Sequence, residues 1–292
     1  MSTFSLLGAA GYIAPRHFQA IRDTGNTLVA AIDPSDSVGI LDKYFPEATF
    51  FKDTASWEQF MRESKQRGNP IDWITICSPN YLHDQHVRFG LQYGADVVCE
   101  KPLVLNLSNA ESLLKTEEET GKKVYTILQL RLLKSIQDLR SKILATSDKK
   151  YIVQLEYITP RGPWYQVSWK GNPELSGGIA TNIGIHFFDL LLWLFGPLQS
   201  LNAGLQDAHR SQGHMELQRA SVTWNLSINP SDLPTGHVGA FRQLSVDGEL
   251  IDLSAEFESL HTLCYSEILA GRGFGIGDVI PSIALVSELR KK

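Results

Sequence analysis

The sequence predicts an α/β protein: an N-terminal, doubly wound parallel sheet followed by a C-terminal α+β domain with an open, largely antiparallel sheet. Three observations carry this. Apolar runs of strand length alternate with helical segments over the first 125 residues, the pattern of a parallel sheet with crossover helices. The turn Gly8-Ala9-Ala10-Gly11 separates the first strand from the first helix, where a Rossmann fold places its tight turn. Beyond about residue 130, polar and apolar positions alternate, as in sheets with one covered face. The expected domains are residues 1–125 and 126–292.

In order along the chain, Phe4-Ser5-Leu6-Leu7 is a strand running into glycine. Pro15 to Thr24 forms a helix with Phe18 and Ile21 on one face and Gly25 as its stop. Leu28 to Ile32, Trp73 to Cys77 and Ala95 to Cys99 are continuous apolar runs, as strands buried on both faces should be. Ser108-Asn109-Ala110-Glu111 reads as a capping box opening a helix towards Gly121, and Val124 to Leu128 as a further strand. In the second domain, Tyr151 to Thr159 and residues 218–228 alternate as exposed-sheet strands. Arg242 to Val246, Asp247-Gly248 and Glu249 to Leu253 form a hairpin signature. Helices around 180–195 and 260–270 accompany them.

Composition narrows the function. Of 292 residues, 43% are hydrophobic and 20% charged, enough for two cores. A net charge of −5 with no basic run argues against a nucleic-acid footprint. Three scattered cysteines make neither a disulfide framework nor a zinc site. Met1-Ser2-Thr3 leads directly into a strand, and Leu190 to Phe195 is too short to cross a bilayer, so neither a signal peptide nor a membrane span is expected and the cytoplasm is the default.

Several motifs carry chemistry. The glycine turn has the spacing G-x-x-G-x-x-A, with Tyr12 and Ile13 leading into the helix. Glycine lets the backbone approach a pyrophosphate, and the helix N-terminus favours its charge. Asp33 ends the second strand about 20 residues on, where a carboxylate accepts from an adenosine ribose and repels a 2′-phosphate, favouring NAD over NADP. Ser78-Pro79-Asn80 turns outward at a strand's carboxyl end. His83 and His86 follow at i, i+3; a polar helix start near the cofactor fits them better than a metal pair, for which no third ligand stands nearby. Glu100-Lys101-Pro102 holds an ammonium at a strand end, beside a carboxylate and stiffened by proline; the plainer alternative is a surface lysine before a loop proline. His186 and Asp189 share a helix face, so Asp189 is placed to orient the imidazole while the other nitrogen takes a substrate proton; a core histidine bonded within its own helix is the alternative. Arg161, Tyr165, Trp169 and Lys170 form a polar–aromatic cluster suited to a sugar or base and a phosphate or carboxylate, or else an amphipathic sheet edge. Asn182 caps the helix or touches ligand, and Gln129 and Arg131 follow the last strand of the first domain, placed to line the cleft.

Together these residues resemble the Gfo/Idh/MocA oxidoreductase family. The resemblance rests on the glycine turn, Ser78-Pro79-Asn80 with His83, Glu100-Lys101-Pro102, and Gly184-Ile185-His186 with Asp189. It implies that Lys101 and His186 flank the carbon that gives up hydride. Within the family, Gly8 to His17, Cys77 to His83, Ile127 to Arg131, Ser168 to Gly171 and Glu267 to Gly273 are similar to the UDP-N-acetylglucosaminuronate 3-dehydrogenases of bacterial polysaccharide (O-antigen, lipopolysaccharide) assembly; Arg131 to Lys134 is less polar than that pattern. The resemblance implies oxidation of a UDP-sugar 3-hydroxyl, with NAD as cofactor and 2-oxoglutarate as a candidate acceptor that reoxidises NADH. It also implies a homodimer or homotetramer formed through the open sheet; the composition already argues against a nucleic-acid or membrane partner. Cofactor contacts are then expected from Gly8, Gly11, Tyr12, Ile13, Asp33, Ser78, Asn80, His83, Glu100, Lys101 and Gln129. Substrate contacts are expected from Arg131, Arg161, Tyr165, Trp169, Lys170, Asn182 and His186, catalysis from Lys101, His186 and Asp189, and no metal. His186 is the first choice of base and Lys101 its rival. A dehydrogenase of a free sugar or polyol, and an NAD-binding regulator without turnover, remain alternatives.

Overall fold

The computed structural model describes residues 1–253 and 259–291. The chain divides into two compact units. The first holds Met1–Val104, Ser108–Gln129 and a late segment ending at Val279; the second holds Leu105–Leu107, the stretch from Leu130, and the end of the chain from Ile280. The main crossing, after Gln129, lies close to the expected 125/126 boundary, but the late return to the first unit is a difference from it.

In the first unit the elements run β1 (Thr3–Leu7), α1 (Ala14–Asp23), β2 (Thr27–Ile32), α2 (Leu41–Tyr44), β3 (Thr49–Phe51), α3 (Thr54–Gln66), β4 (Trp73–Ile76), α4 (His83–Tyr93), β5 (Asp96–Cys99), α5 (Leu107–Thr120) and β6 (Val124–Thr126). The sheet order is β3-β2-β1-β4-β5-β6 and every pairing is parallel. The strands are apolar because both faces are covered: Phe4, Leu6, Ala30, Ile74, Val97 and Val98 are fully buried. In α1 the stripe Ala14, His17, Phe18, Ile21 recurs at helical spacing and is wholly buried. Burying Phe18 and Ile21 contributes about 1.5–3 kcal/mol each. Because β2 and β4 lie on opposite sides of β1, the sheet's switch point falls there, and ligands of such sheets bind at the strands' carboxyl ends. α5 begins at Leu107, so Ser108 sits inside its first turn and is not the cap the sequence suggests.

The second unit contains α6 (Lys134–Leu144), β7 (Tyr151–Ile158), α7 (Trp164–Val167), α8 (Pro173–Ser176), α9 (Ile185–Phe195), β8 (Leu198–Gln206), β9 (Arg210–Leu217), β10 (Ala220–Ser227), β11 (Phe241–Val246) and β12 (Glu249–Ile251). Its sheet runs β12-β11-β7-β10-β9-β8. The pairings are antiparallel except the central β7–β10 pair, which is parallel. Val153, Leu155 and Tyr157 face inward opposite Val222, Trp224 and Leu226, while Ile152 is left exposed. The hairpin between β11 and β12 turns at Asp247 (φ 51°) and Gly248 (φ 85°), the two positive φ values of a type I′ turn.

α9 covers the buried face of this sheet. Phe188 meets Trp224 edge-on at 5.5 Å, and Phe187 meets Tyr157 at 5.1 Å. Gly184 permits the close approach, since a Cβ there would lie 2.5 Å from Leu226 Cδ1. Pro173–Phe195 is long and apolar enough to cross a membrane by length and composition, and 72% of that window is buried within the protein. α10 (Leu260–Leu269) and α11 (Ile276–Leu289) follow. α10 belongs to the first unit and packs against α1, not with the second sheet as expected; the ring of Tyr265 lies tilted beside that of Phe4 of β1 at 5.9 Å.

Candidate active site

In the first unit the glycine turn closes on the end of β2. The amides of Gly8 and Ala9 donate to Ile32 O, and Ala10 N donates to Asp33 Oδ2 at 3.0 Å. Asp33 Oδ1 accepts from Ser35 N at 2.9 Å. A carboxylate offers about four lone-pair sites, so capacity for ribose hydroxyls remains after these two bonds. Gly8 has φ 89°, and a Cβ on it would stand 2.6 Å from backbone atoms of Cys77 and Ser78. Backbone at the ends of β1 and β4 thus meets where only glycine fits. Ile13 precedes α1 as its N-cap, and Tyr12 is 88% exposed at the turn's outer edge.

Around β4 and β5 the side chains are tied down. Ser78 Oγ meets His86 Nδ1 at 2.9 Å, and burial lowers the pKa of His86 to about 4. His83 is 1% exposed, with Nδ1 2.7 Å from Pro102 O and Nε2 2.8 Å from Ser78 O. It therefore ties two loops together through its ring, where the sequence suggests a cofactor contact. Burial is the largest influence on its pKa and lowers it, against the two carbonyl acceptors at its ring nitrogens, which raise it. Asn80 is buried nearby. Glu100 is also buried, with Oε1 accepting from His17 Nε2 at 3.0 Å and from His261 Nε2 at 3.1 Å, and Oε2 accepting from Lys101 N at 3.2 Å. Burial alone raises the pKa of Glu100; the two imidazole donors outweigh it and hold the carboxyl well below its usual range. Its oxygens are thus engaged by protein, not presented to cofactor as the sequence suggests. Lys101 is partly exposed and joined to Pro102 by a cis peptide bond. Gln129 is 9% exposed, and its Oε1 is a buried acceptor without a hydrogen-bond partner among the described residues. The close-fitting Gly8, the spare acceptor capacity of Asp33 and the orphaned Gln129 oxygen fit a bound dinucleotide.

In the second unit His186 is half-buried at the start of α9, its ring 4.2 Å from that of Phe187 and 6.1 Å from that of Tyr157. Before it, Ala180–Gly184 form a π-helical turn, a distortion common at functional sites. Asn182 in that turn donates to Tyr165 Oη at 2.6 Å. Tyr165 is 2% exposed and its pKa is raised, chiefly by burial. Lys170 Nζ sits over the rings of Trp164 at 5.3 Å and Trp169 at 5.5 Å, and Arg161 is exposed nearby in sequence. Asp189 differs from expectation. Both its oxygens accept from Arg131, at 2.7 and 2.8 Å, and the two side chains are only 3% and 4% exposed. Nε and Nη2 of Arg131 are therefore engaged in a buried ion pair, and Asp189 is its counter-ion. Sequence reasoning also missed His17 and His261. His17 was marked by the buried stripe of α1 and by its place at the end of the Gly8 to His17 stretch; nothing local marks His261.

Two family models match the chain. One, described as the oxidoreductase family, NAD-binding Rossmann fold, covers residues 3–128; the other, described as the oxidoreductase family, C-terminal alpha/beta domain, covers residues 149–227. The crystal structure of the WlbA (WbpB) dehydrogenase from Thermus thermophilus in complex with NAD and alpha-ketoglutarate matches with a TM-score of 0.96 at 42% identity, covering 99% of this chain and 95% of that one. The structure of the same enzyme in complex with NAD and UDP-GlcNAcA gives a TM-score of 0.95 at 42% identity with the same coverage. Among curated proteins, the 1,5-anhydro-D-fructose reductase of Ensifer adhaerens is 26% identical over 65% of this chain and 56% of its own length. The chain spans about half or less of the length of the first curated relatives it matches.

Proposed function

The chain belongs to the Gfo/Idh/MocA oxidoreductase family, with an NAD-binding Rossmann domain, and from that premise we propose that it oxidises the 3-hydroxyl of UDP-N-acetylglucosaminuronic acid to the 3-keto sugar. The observation that carries the reading is the match, at 42% identity over 99% of the chain, to a dehydrogenase crystallised with NAD and UDP-GlcNAcA. The alpha-ketoglutarate complex of that neighbour supports 2-oxoglutarate as the compound that reoxidises NADH. The cytoplasm, bacterial polysaccharide assembly and a homo-oligomeric state complete the proposal.

When bound, NAD supplies the acceptance of hydride from C3. An alcohol gives up hydride readily only as its proton leaves, so a base is needed. His186 takes that role, on a ring fixed by Phe187 and Tyr157. Lys101, whose backbone amide is held by Glu100, supplies positive charge to the developing alkoxide. Asn182 and Tyr165 form a polar pair for the sugar, and Lys170 with Trp164 and Trp169 a cationic–aromatic surface for the nucleotide or carboxylate. Gly8, Gly11, Asp33 and Gln129 are assigned to the dinucleotide, and Arg131 with Asp189 to support of α9.

The test is incubation with UDP-N-acetylglucosaminuronate and NAD, with and without 2-oxoglutarate, followed by nicotinamide absorbance and mass spectrometry. A keto sugar two hydrogens lighter is expected. No product from the UDP-sugar alongside turnover of a free sugar or polyol refutes the substrate; NAD binding without turnover of either refutes the enzyme. Replacing His186 by Asn should lower the rate roughly 10²- to 10⁴-fold.

A further inference from the structure

The buried cluster behind Lys101 is larger than any single motif in the sequence. His17 comes from α1, Glu100 from the end of β5, and His261 and Tyr265 from α10, and all four are 8% exposed or less. Thr75 Oγ1 lies 2.9 Å from Tyr265 Oη, which lies 2.9 Å from His17 Nδ1. These bonds have one self-consistent direction. An ionised Glu100 demands an N–H at His17 Nε2, because a bare nitrogen lone pair would face the anion. His17, whose pKa burial lowers, is neutral and so has its Nδ1 unprotonated. Tyr265 must then donate its hydroxyl proton to Nδ1 and accept from Thr75. The chain Thr75→Tyr265→His17→Glu100 therefore fixes one tautomer, and His261 adds a second N–H to the same carboxylate oxygen. The other oxygen is left to hold the amide of Lys101.

We propose that His17 and His261 are positioning residues: they clamp Glu100 from two helices so that its free oxygen fixes the backbone of Lys101 at the carboxyl end of β5. This rests on Lys101 acting in the reaction proposed above. The same three ligating groups lie within 4.8 Å of one another, close enough for a metal ion, so metal content is part of the test. The hydrogen-bonded form is favoured because His17 already has partners at both ring nitrogens and the carboxylate has partners at both oxygens.

The experiment compares His17→Ala and His261→Ala with His17→Gln and His261→Gln in the full-length enzyme. Glutamine places an N–H donor at nearly the reach of Nε2. The alanine variants should lose roughly tenfold or more in kcat, as expected when a reacting group is misplaced, with NAD affinity nearly unchanged. The glutamine variants should recover most of that loss. Nitrogen-15 NMR of the wild type should show the His17 proton on Nε2. Amide exchange at Lys101 should accelerate in the alanine variants and not in the glutamine ones. Wild-type kcat in soluble His17→Ala and His261→Ala overturns the clamp, as does a glutamine pair as slow as the alanine pair. Stoichiometric zinc in the purified protein overturns it in favour of a metal centre. If the alanine variants fail to fold, the tautomer and the glutamine variants decide. If the wild type turns over no UDP-sugar, the function fails, and exchange at Lys101 still judges the clamp.

Discussion

Replacing Gly8 by Ala tests the nucleotide turn most directly. The residue has φ 89°, and the added methyl would stand 2.6 Å from Cys77 C, Cys77 O and Ser78 N, all backbone atoms. A side chain at positive φ costs about 1–2 kcal/mol. Relieving an overlap that no rotamer can escape adds about 1–3 kcal/mol. Together the loss is about 2–5 kcal/mol, a large share of the 5–15 kcal/mol typical of a folded domain. At about 2–4 °C per kcal/mol, the melting temperature should fall by on the order of 10 °C. Relief requires the turn to move away from β4, which shifts the start of α1 and the site where the phosphates' charge is met. Scanning calorimetry with and without NAD reads both effects. Wild-type protein with NAD at 100 times its Kd should gain about 2.7 kcal/mol, and Gly8→Ala should gain almost none. Gly11→Ala, whose Cβ meets only Gly8 O at 3.0 Å at close range, should be milder. Gly8→Ala protein that melts within about 1 °C of wild type and keeps its NAD affinity would refute the close-approach reasoning.

Asp189→Asn should destabilise by about 3–5 kcal/mol in urea unfolding, because it strands Arg131 in the interior; Arg131→Met with Asp189→Leu should regain most of that. His86 predicts a pH effect. Its folded pKa of about 4 lies below the ordinary 6.5, so the unfolded chain binds the extra proton between those values. Stability is then full above pH 6.5 and falls by up to about 3 kcal/mol as the pH drops to 4. His86→Asn should flatten that slope, and an unchanged slope in urea titrations assigns it elsewhere. Asp33→Ala should weaken NAD and narrow its preference over NADP by roughly tenfold or more in calorimetric titration, since Asp33 anchors Ala10 and is the residue proposed for the ribose.

The parallel sheet was legible because its strands are covered on both faces, which forces uninterrupted apolar runs such as Leu28 to Ile32. The hairpin at Asp247-Gly248 was legible because its turn needs two positive φ values and few residue pairs supply them. β8 and β9 were not, because neither alternates cleanly between covered and exposed positions: β8 is partly or fully exposed along its whole length, and β9 buries only Ser211, Met215 and Leu217. The parallel β7–β10 pairing leaves no local mark either, since alternation reports which face is covered and not strand direction. At the site, residues at the turn or terminus of an element, such as Gly8, Lys101 and His186, are marked by their place in the local pattern. Residues tied to a distant partner carry no local mark of it. Arg131 and Asp189 are 58 positions apart, and Glu100 and His261 are 161 apart. An isolated charged residue reads the same whether it faces a ligand or a buried counter-ion.

Because α10 comes after the second sheet in the sequence yet packs on α1, a ribosome finishes the Rossmann strands long before it delivers His261 and Tyr265. Until then His17 and Glu100 lack two of their neighbours, and Phe4 lacks the ring that flanks it. A nascent chain halted near residue 129 should thus hold its six strands while leaving an anion and an imidazole wet at the seam. The core of the first unit should be complete only when α10 emerges, which makes the stretch after the second sheet a poor place to cut this protein.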